Sequence, residues 1–140
     1  MRIMNAKKSD LKALAKMNAR IFHETSVASQ TLKVFRHCLE NAVPGACLVA
    51  EENGKIIGAV IATKKLTHTP NAAEVRDLMV GEKFRRKGIG KLLFRKSLSA
   101  LKKHGIKTVS LSVNPKNKRA YALYRKAGFK LFRYLLLKRF

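Results

Sequence analysis

EVRDLMVGEKFRRKGIGK, residues 74–91, joins an alternating strand-forming run to a basic, glycine-containing turn and then to the start of a helix. Glu74–Val80 reads as a strand. After Phe84 the texture changes to Arg-Arg-Lys-Gly-Ile-Gly, and a long helix runs to about Lys103. On that helix Ile89, Leu93, Phe94, Leu98, Ala100 and Leu101 share one half, with Lys91, Arg95 and Lys102 on a stripe of the other. A strand that runs through such a turn into a helix suits a phosphate. The unpaired N–H groups and the positive dipole end of a helix start bind anions. Gly88 and Gly90 admit phosphates close to the backbone, with no Cβ in the way. Arg85, Arg86, Lys87 and Lys91 add positive charge beside them. The spacing is neither the phosphate loop of nucleotide hydrolases nor the three-glycine dinucleotide fingerprint. Taken alone it also describes a tight turn before a helix.

Downstream, Gly105 closes the helix, Thr108–Val113 (TVSLSV) reads as a buried strand, and Asn117–Ala127 as a short helix with Ala120, Leu123, Tyr124 and Ala127 on one side. Gly128 ends that helix, and Phe129–Phe140 supplies a last strand. Upstream, Arg2–Ala6 is a first strand, and Ser9 or Asp10 caps a helix bearing Leu11, Leu14, Ile21 and Phe22. A second helix runs from about Ser29 to Pro44-Gly45. Ala46–Glu51 and Ile56–Lys65 form a hairpin about Asn53-Gly54. A loop, Leu66–Ala73, then leads back to the strand at Glu74. The order βααβββαβαβ predicts an α/β (α+β) fold: one domain, residues 1–140, with a mixed central sheet flanked by helices.

Composition narrows the function. The 140 residues are 46% apolar and 28% charged, as in folded domains. Apolar runs such as Gly58–Thr63 and Leu135–Leu137 are far short of the ~20 residues of a membrane span. MRIMNAKKSD lacks the marks of a secretory signal, so the chain is expected in the cytoplasm, with Cys38 and Cys47 as reduced core thiols. No metal-ligand spacing is present. The formal charge is +23. All eight acids lie in the first 82 residues beside twelve basic residues, a net +4, whereas the last 58 residues hold nineteen basic residues and no acid. Such asymmetry points to a polyanionic partner: a phosphate-rich cofactor, an acidic protein, or an RNA-rich assembly such as the ribosome.

The strand, the Arg-x-x-Gly-x-Gly turn and the later Asn117, Ala120, Leu123, Tyr124, Gly128 and Phe129 together resemble the GNAT superfamily of acetyl-coenzyme A-dependent N-acetyltransferases. The element order matches that fold over essentially the whole chain. The resemblance implies that backbone N–H groups of Arg85, Arg86, Lys87, Gly88, Ile89, Gly90 and Lys91 hold the coenzyme A pyrophosphate. The pantetheine arm would lie in a gap between the strand that includes Leu78, Met79 and Val80 and the strand Thr108–Val113. The Leu78 amide would bond the thioester carbonyl, Val80 would pair with the pantetheine, Asn117 would reach the coenzyme, and Tyr124 would point at its sulfur. Lys116, Lys118 and Arg119 would hold the 3′-phosphate or simply start a solvated helix.

The chemistry has its own logic. Attack on a thioester places negative charge on the carbonyl oxygen, which a fixed donor stabilises. The leaving thiolate needs a proton or hydrogen bond, and a tyrosine hydroxyl supplies either. A lysine ammonium near pKa ~10.4 must first lose a proton, an α-ammonium near ~8 less reluctantly, so a base is expected. Glu74 is the candidate: strand alternation puts it on one face with Arg76, Leu78 and Val80, and Asp77 on the other. A solvated Glu74 paired with Arg76 is the ordinary alternative. Tyr124 as a core tyrosine is another, and His23, His37, His68 and His104 are scattered. The expected activity is acetyl transfer to a primary amine, a protein N-terminus or a lysine, since the motifs resemble ribosomal-protein alanine acetyltransferases. The rival is a basic nucleic-acid- or ribosome-associated module that keeps the fold without catalysis.

Overall fold

A computed structural model describes residues 1–22 and 29–140. Five strands form one sheet in the order β1(Arg2–Asn5), β2(Leu48–Glu52), β3(Lys55–Lys65), β4(Ala72–Val80), β5(Thr108–Ser110). Every neighbour pair is antiparallel except β4 and β5, which run parallel. The β2–β3 hairpin turns at Asn53 (φ 51°) and Gly54 (φ 73°), the two left-handed residues of a tight primed turn. Helices α1(Leu11–Ile21) and α2(Ser29–Glu40) cover one face; α3(Ile89–Lys103) covers the other, with α4(Lys118–Lys126) beside it.

The two faces carry separate cores. Leu14, Phe35, Cys38, Val49, Ala59, Ile61 and Met79 fill the space under α1 and α2. Val60, Ala62, Val75, Leu93, Phe94 and Leu101 pack under α3. Cys38 and Cys47 are free and buried, as expected; burial pushes the Cys47 thiol up to about 11, which leaves it inert. Phe94 is 2% exposed and stacks obliquely on Tyr124 (centroids 5.2 Å) and Phe129 (5.7 Å), tying α3 to α4. Phe94→Ala is expected to cost about 3–5 kcal/mol of stability, read as a lower urea midpoint at unchanged slope.

Three expectations need correction. The strand at Thr108 pairs only as far as Ser110, and Leu111–Val113 leave the ladder. The last strand, Phe129–Phe140, does not form: these residues make no ladder, and Phe132, Leu136 and Phe140 are 84%, 90% and 110% exposed. A three-residue β5 offers little edge to pair with. The apolar run Leu135–Leu137 also lacks the alternation that buries one face of a strand. Two of the segment's rings lie instead under its own cations, Arg133 over Phe132 at 4.9 Å and Lys138 over Phe140 at 5.2 Å. The third correction concerns β4. Val75 pairs with Ala62, but Asp77, not Arg76, pairs with Ile61. Arg76 is thus the extra residue of a bulge, and it reverses the alternation beyond it. Glu74, Asp77 and Met79 lie on the α1/α2 face, whereas Leu78 and Val80 lie on the α3 face, so Glu74 does not share a face with them.

Candidate active site

The strand pair β4–β5 opens where the site begins. Its ladder runs from Ala72–Thr108 to Glu74–Ser110, and β4 continues to Val80 without a partner on that side. The backbone of this free half is sorted by antiparallel alternation against β3. The Gly81 N–H donates to the Ile57 carbonyl at 2.9 Å, so Gly81, Met79 and Asp77 turn their peptide groups to β3. Leu78 and Val80, in the wide pairs between them, turn theirs into the gap. Consistent with this, the Val80 carbonyl accepts from Arg85 Nε at 3.2 Å. Met79 is committed on both counts: its peptide groups go to β3, and its sulfur accepts from Asn18 Nδ2 at 3.9 Å.

At the end of the gap the chain turns through Arg86 (φ 65°) and Gly88 (φ 77°), two left-handed residues with Lys87 between them. Such a turn gathers successive N–H groups around a concavity. Gly88 is the N-cap of α3, and the helical ladder starts with Leu92 N–H on the Gly88 carbonyl at 3.0 Å. The N–H groups of Ile89, Gly90 and Lys91 precede it and lack helical acceptors. A Cβ on Gly90 would sit 3.3 Å from Val80 Cγ2, so this glycine lets the turn close on β4. Arg85, Arg86, Lys87 and Lys91 are exposed around it. Lys87 Nζ lies over the Phe84 ring at 5.6 Å. These residues fit a pyrophosphate: donors without helical acceptors, a dipole end and four exposed cations.

Tyr124 is half-buried on α4, its ring fixed by Phe94 and Phe129. Burial, and secondarily the Asp77 charge, push its hydroxyl above the ordinary tyrosine value. Burial raises the Asp77 carboxyl, with Arg76 opposing and Glu74 adding to the shift. Cys38 feels the charges of Arg76, Asp77 and Glu74, so these groups cluster under α2. Glu74 pairs with Arg76 at 3.7 Å. Asn117 caps α4, its Oδ1 accepting from the Ala120 N–H at 3.2 Å, which is the role its sequence position supports directly. Lys116, Lys118 and Arg119 are exposed at this helix start.

His68 and His104 are exposed, His37 borders the cleft under α2, and His23 lies outside the described residues. Among the described residues no cluster suited to a metal ion occurs, and no helix is long and apolar enough to cross a membrane. Asp77 shares the face of Glu74, a neighbour that sequence reasoning passed over. Simple alternation set it on the wrong face, and nothing in the string VRD marks a bulge.

The acetyltransferase (GNAT) family model matches residues 11–129. The chain belongs to the GNAT acetyltransferase family. This acetyltransferase is similar to an N-alpha-acetyltransferase of Sulfurisphaera tokodaii, 30% identical over 138 residues that cover 92% of this chain and 80% of the relative. An uncharacterized N-acetyltransferase of Methanocaldococcus jannaschii is 34% identical over 84 residues, 58% of this chain; the match spans only 37% of that longer relative. Among solved structures, a ribosomal-protein-alanine N-acetyltransferase from Brucella melitensis superposes with a TM-score of 0.76 over 93% of this chain and 85% of its own, at 21% identity. That likeness is one of fold.

Proposed function

We propose that this acetyltransferase moves the acetyl group of acetyl-coenzyme A to a primary amine by direct attack, without an acyl-enzyme. The open half of β4 carries the reading, because its Leu78 and Val80 peptide groups face a gap that ends at an anion-binding turn. Acetyl-coenzyme A supplies an activated acyl group. The chain orients it: the turn from Arg85 to Lys91 takes the pyrophosphate, Val80 pairs with the pantetheine amide, and the Lys116, Lys118 and Arg119 cluster faces the 3′-phosphate. The Leu78 N–H stands where the thioester oxygen gathers charge, a fixed donor of the oxyanion-hole kind.

On the α1/α2 side the acceptor ammonium first meets Glu74. Asp77 takes its proton, since it is the carboxylate that burial makes more basic and the one whose charge reaches the Tyr124 hydroxyl. The freed nitrogen forms the new C–N bond, the C–S bond breaks, and the electron pair leaves on sulfur. Tyr124, kept protonated by its raised pKa, donates a hydrogen bond or its proton to that thiolate. The name of the Sulfurisphaera relative supports a protein N-terminus as the amine.

Melting curves test the cofactor half. Acetyl-coenzyme A at about 100 times its Kd adds ~2.7 kcal/mol. For a domain of this size that is a rise of about 7–11 °C. Gly90→Glu, which puts a carboxylate among the free N–H groups, is expected to abolish the rise. An equal rise with ATP in both proteins would show that the basic surface binds any polyphosphate, and would favour a binding module over an enzyme.

A further inference from the structure

The cleft under α2 carries more positive charge than an ordinary amine would tolerate. It encloses about 390 Å³ and is bordered by Lys33 and His37 of α2, Lys64 and Lys65 of β3, and Glu74 and Arg76 of β4. Among the described residues Lys33, Lys65 and Arg76 are the cations of this cleft, against Glu74, already shared with Arg76 at 3.7 Å, and Asp77 clustered beside it. Lys64, in register with the core residue Ala73, belongs to the α3 face. The cleft also reaches the reaction centre. Lys65 Nζ spans β4 to lie 3.4 Å from Ser110 Oγ, at the residue where β5 leaves the ladder and the gap opens. Glu74, paired to Ser110, forms the wall between cleft and gap.

An acceptor bringing only an ammonium would meet three cations against two carboxylates, one of which is already shared with Arg76, and this slows its approach and weakens its binding. An acceptor with its own carboxylate would match the cleft group for group: ammonium on Glu74 and Asp77, carboxylate among Lys33, Lys65 and Arg76. Building on the acetyl-transfer reading above, we infer that the acceptor is an amine carrying a carboxylate within a few bonds of its nitrogen. Two sources share this chemistry: a free acidic amino acid, and a polypeptide whose first residue is aspartate or glutamate. The lysine stems lie along exposed cleft walls, so charge rather than close packing sets this preference.

The test uses the full chain with saturating acetyl-coenzyme A and follows coenzyme A release. Peptides beginning with Asp, Asn and Lys form one arm, and free aspartate and its diamide, which has no carboxylate, the other; the arm that turns over identifies the source. Within it the acidic acceptor is expected to exceed its amide by about tenfold or more in kcat/KM, mostly through KM. The advantage should shrink in about 0.5 M salt, where surface charges are screened. Lys33→Glu/Lys65→Glu is expected to erase or reverse the preference while keeping the acetyl-coenzyme A melting shift, which shows the variant is folded. Equal rates with the Asp and Asn peptides and with aspartate and its diamide, or a lead by the Lys peptide, would overturn the inference and leave the acetyl-transfer reading intact. No turnover with any amine would overturn both.

Discussion

Tyr124→Phe is expected to lower kcat by about 10²–10⁴-fold, the usual worth of a positioned proton donor. The affinity for acetyl-coenzyme A should stay unchanged. Phenylalanine keeps the oblique stack on Phe94 and Phe129, so the melting temperature should hold as well. A merely structural tyrosine would show the opposite pattern, with stability falling and kcat intact. The pH profile adds a second reading. Burial and the Asp77 charge raise the hydroxyl above the ordinary tyrosine value, so the proton is retained further into alkali and the wild-type rate keeps its alkaline plateau to higher pH. Thiol release measured from pH 6 to 10 under saturating acetyl-coenzyme A would decide the point.

Asp77→Asn is expected to cost about 10²–10⁴-fold in kcat/KM near neutral pH. Part of that loss should be recovered as the pH rises past the acceptor's own pKa of ~8, where a free amine no longer needs a base. Glu74→Gln should act chiefly on KM, because Glu74 meets the ammonium at the cleft wall. Stability moves the other way. The folded-state pKa of Asp77 lies above its unfolded value, so its favourable contribution is complete below the unfolded pKa and vanishes as pH rises through the folded one. At pH 7 the ionised carboxylate strains a partly buried position, and the amide relieves it. A variant that melts higher and works far more slowly would mark a group held against stability for chemistry. A variant equally active at pH 7 would remove Asp77 from the mechanism and return the base to Glu74.

Much of this was legible in the residues. The helical stripe Ile89, Leu93, Phe94 and Leu101 and the Asn53-Gly54 hairpin form as their spacing predicts, because local periodicity and turn chemistry suffice there. The turn at Gly88 was legible too, since a left-handed N-cap asks for glycine. What escaped depends on partners distant in sequence. The bulge at Arg76 is set by the register against β3, so alternation read along β4 alone gave Glu74 the wrong companions. The final segment is strand-like in composition, but a strand also needs a free edge, and β5 ends after three residues. The cleft under α2 joins side chains from three elements, and no single segment announces it.

The extra residue in β4 also divides the strand into two separately adjustable parts. Up to and including it, side chains at 74 and 76 contribute to the cleft; downstream, peptide groups at 78 and 80 face the gap. Side chains vary freely under substitution and peptide groups do not. A lineage could therefore retool what the enzyme acetylates by exchanging Glu74, Arg76 or their lysine neighbours, with the thioester's backbone donors left in place. The kink makes one continuous strand serve a variable half and an invariant one.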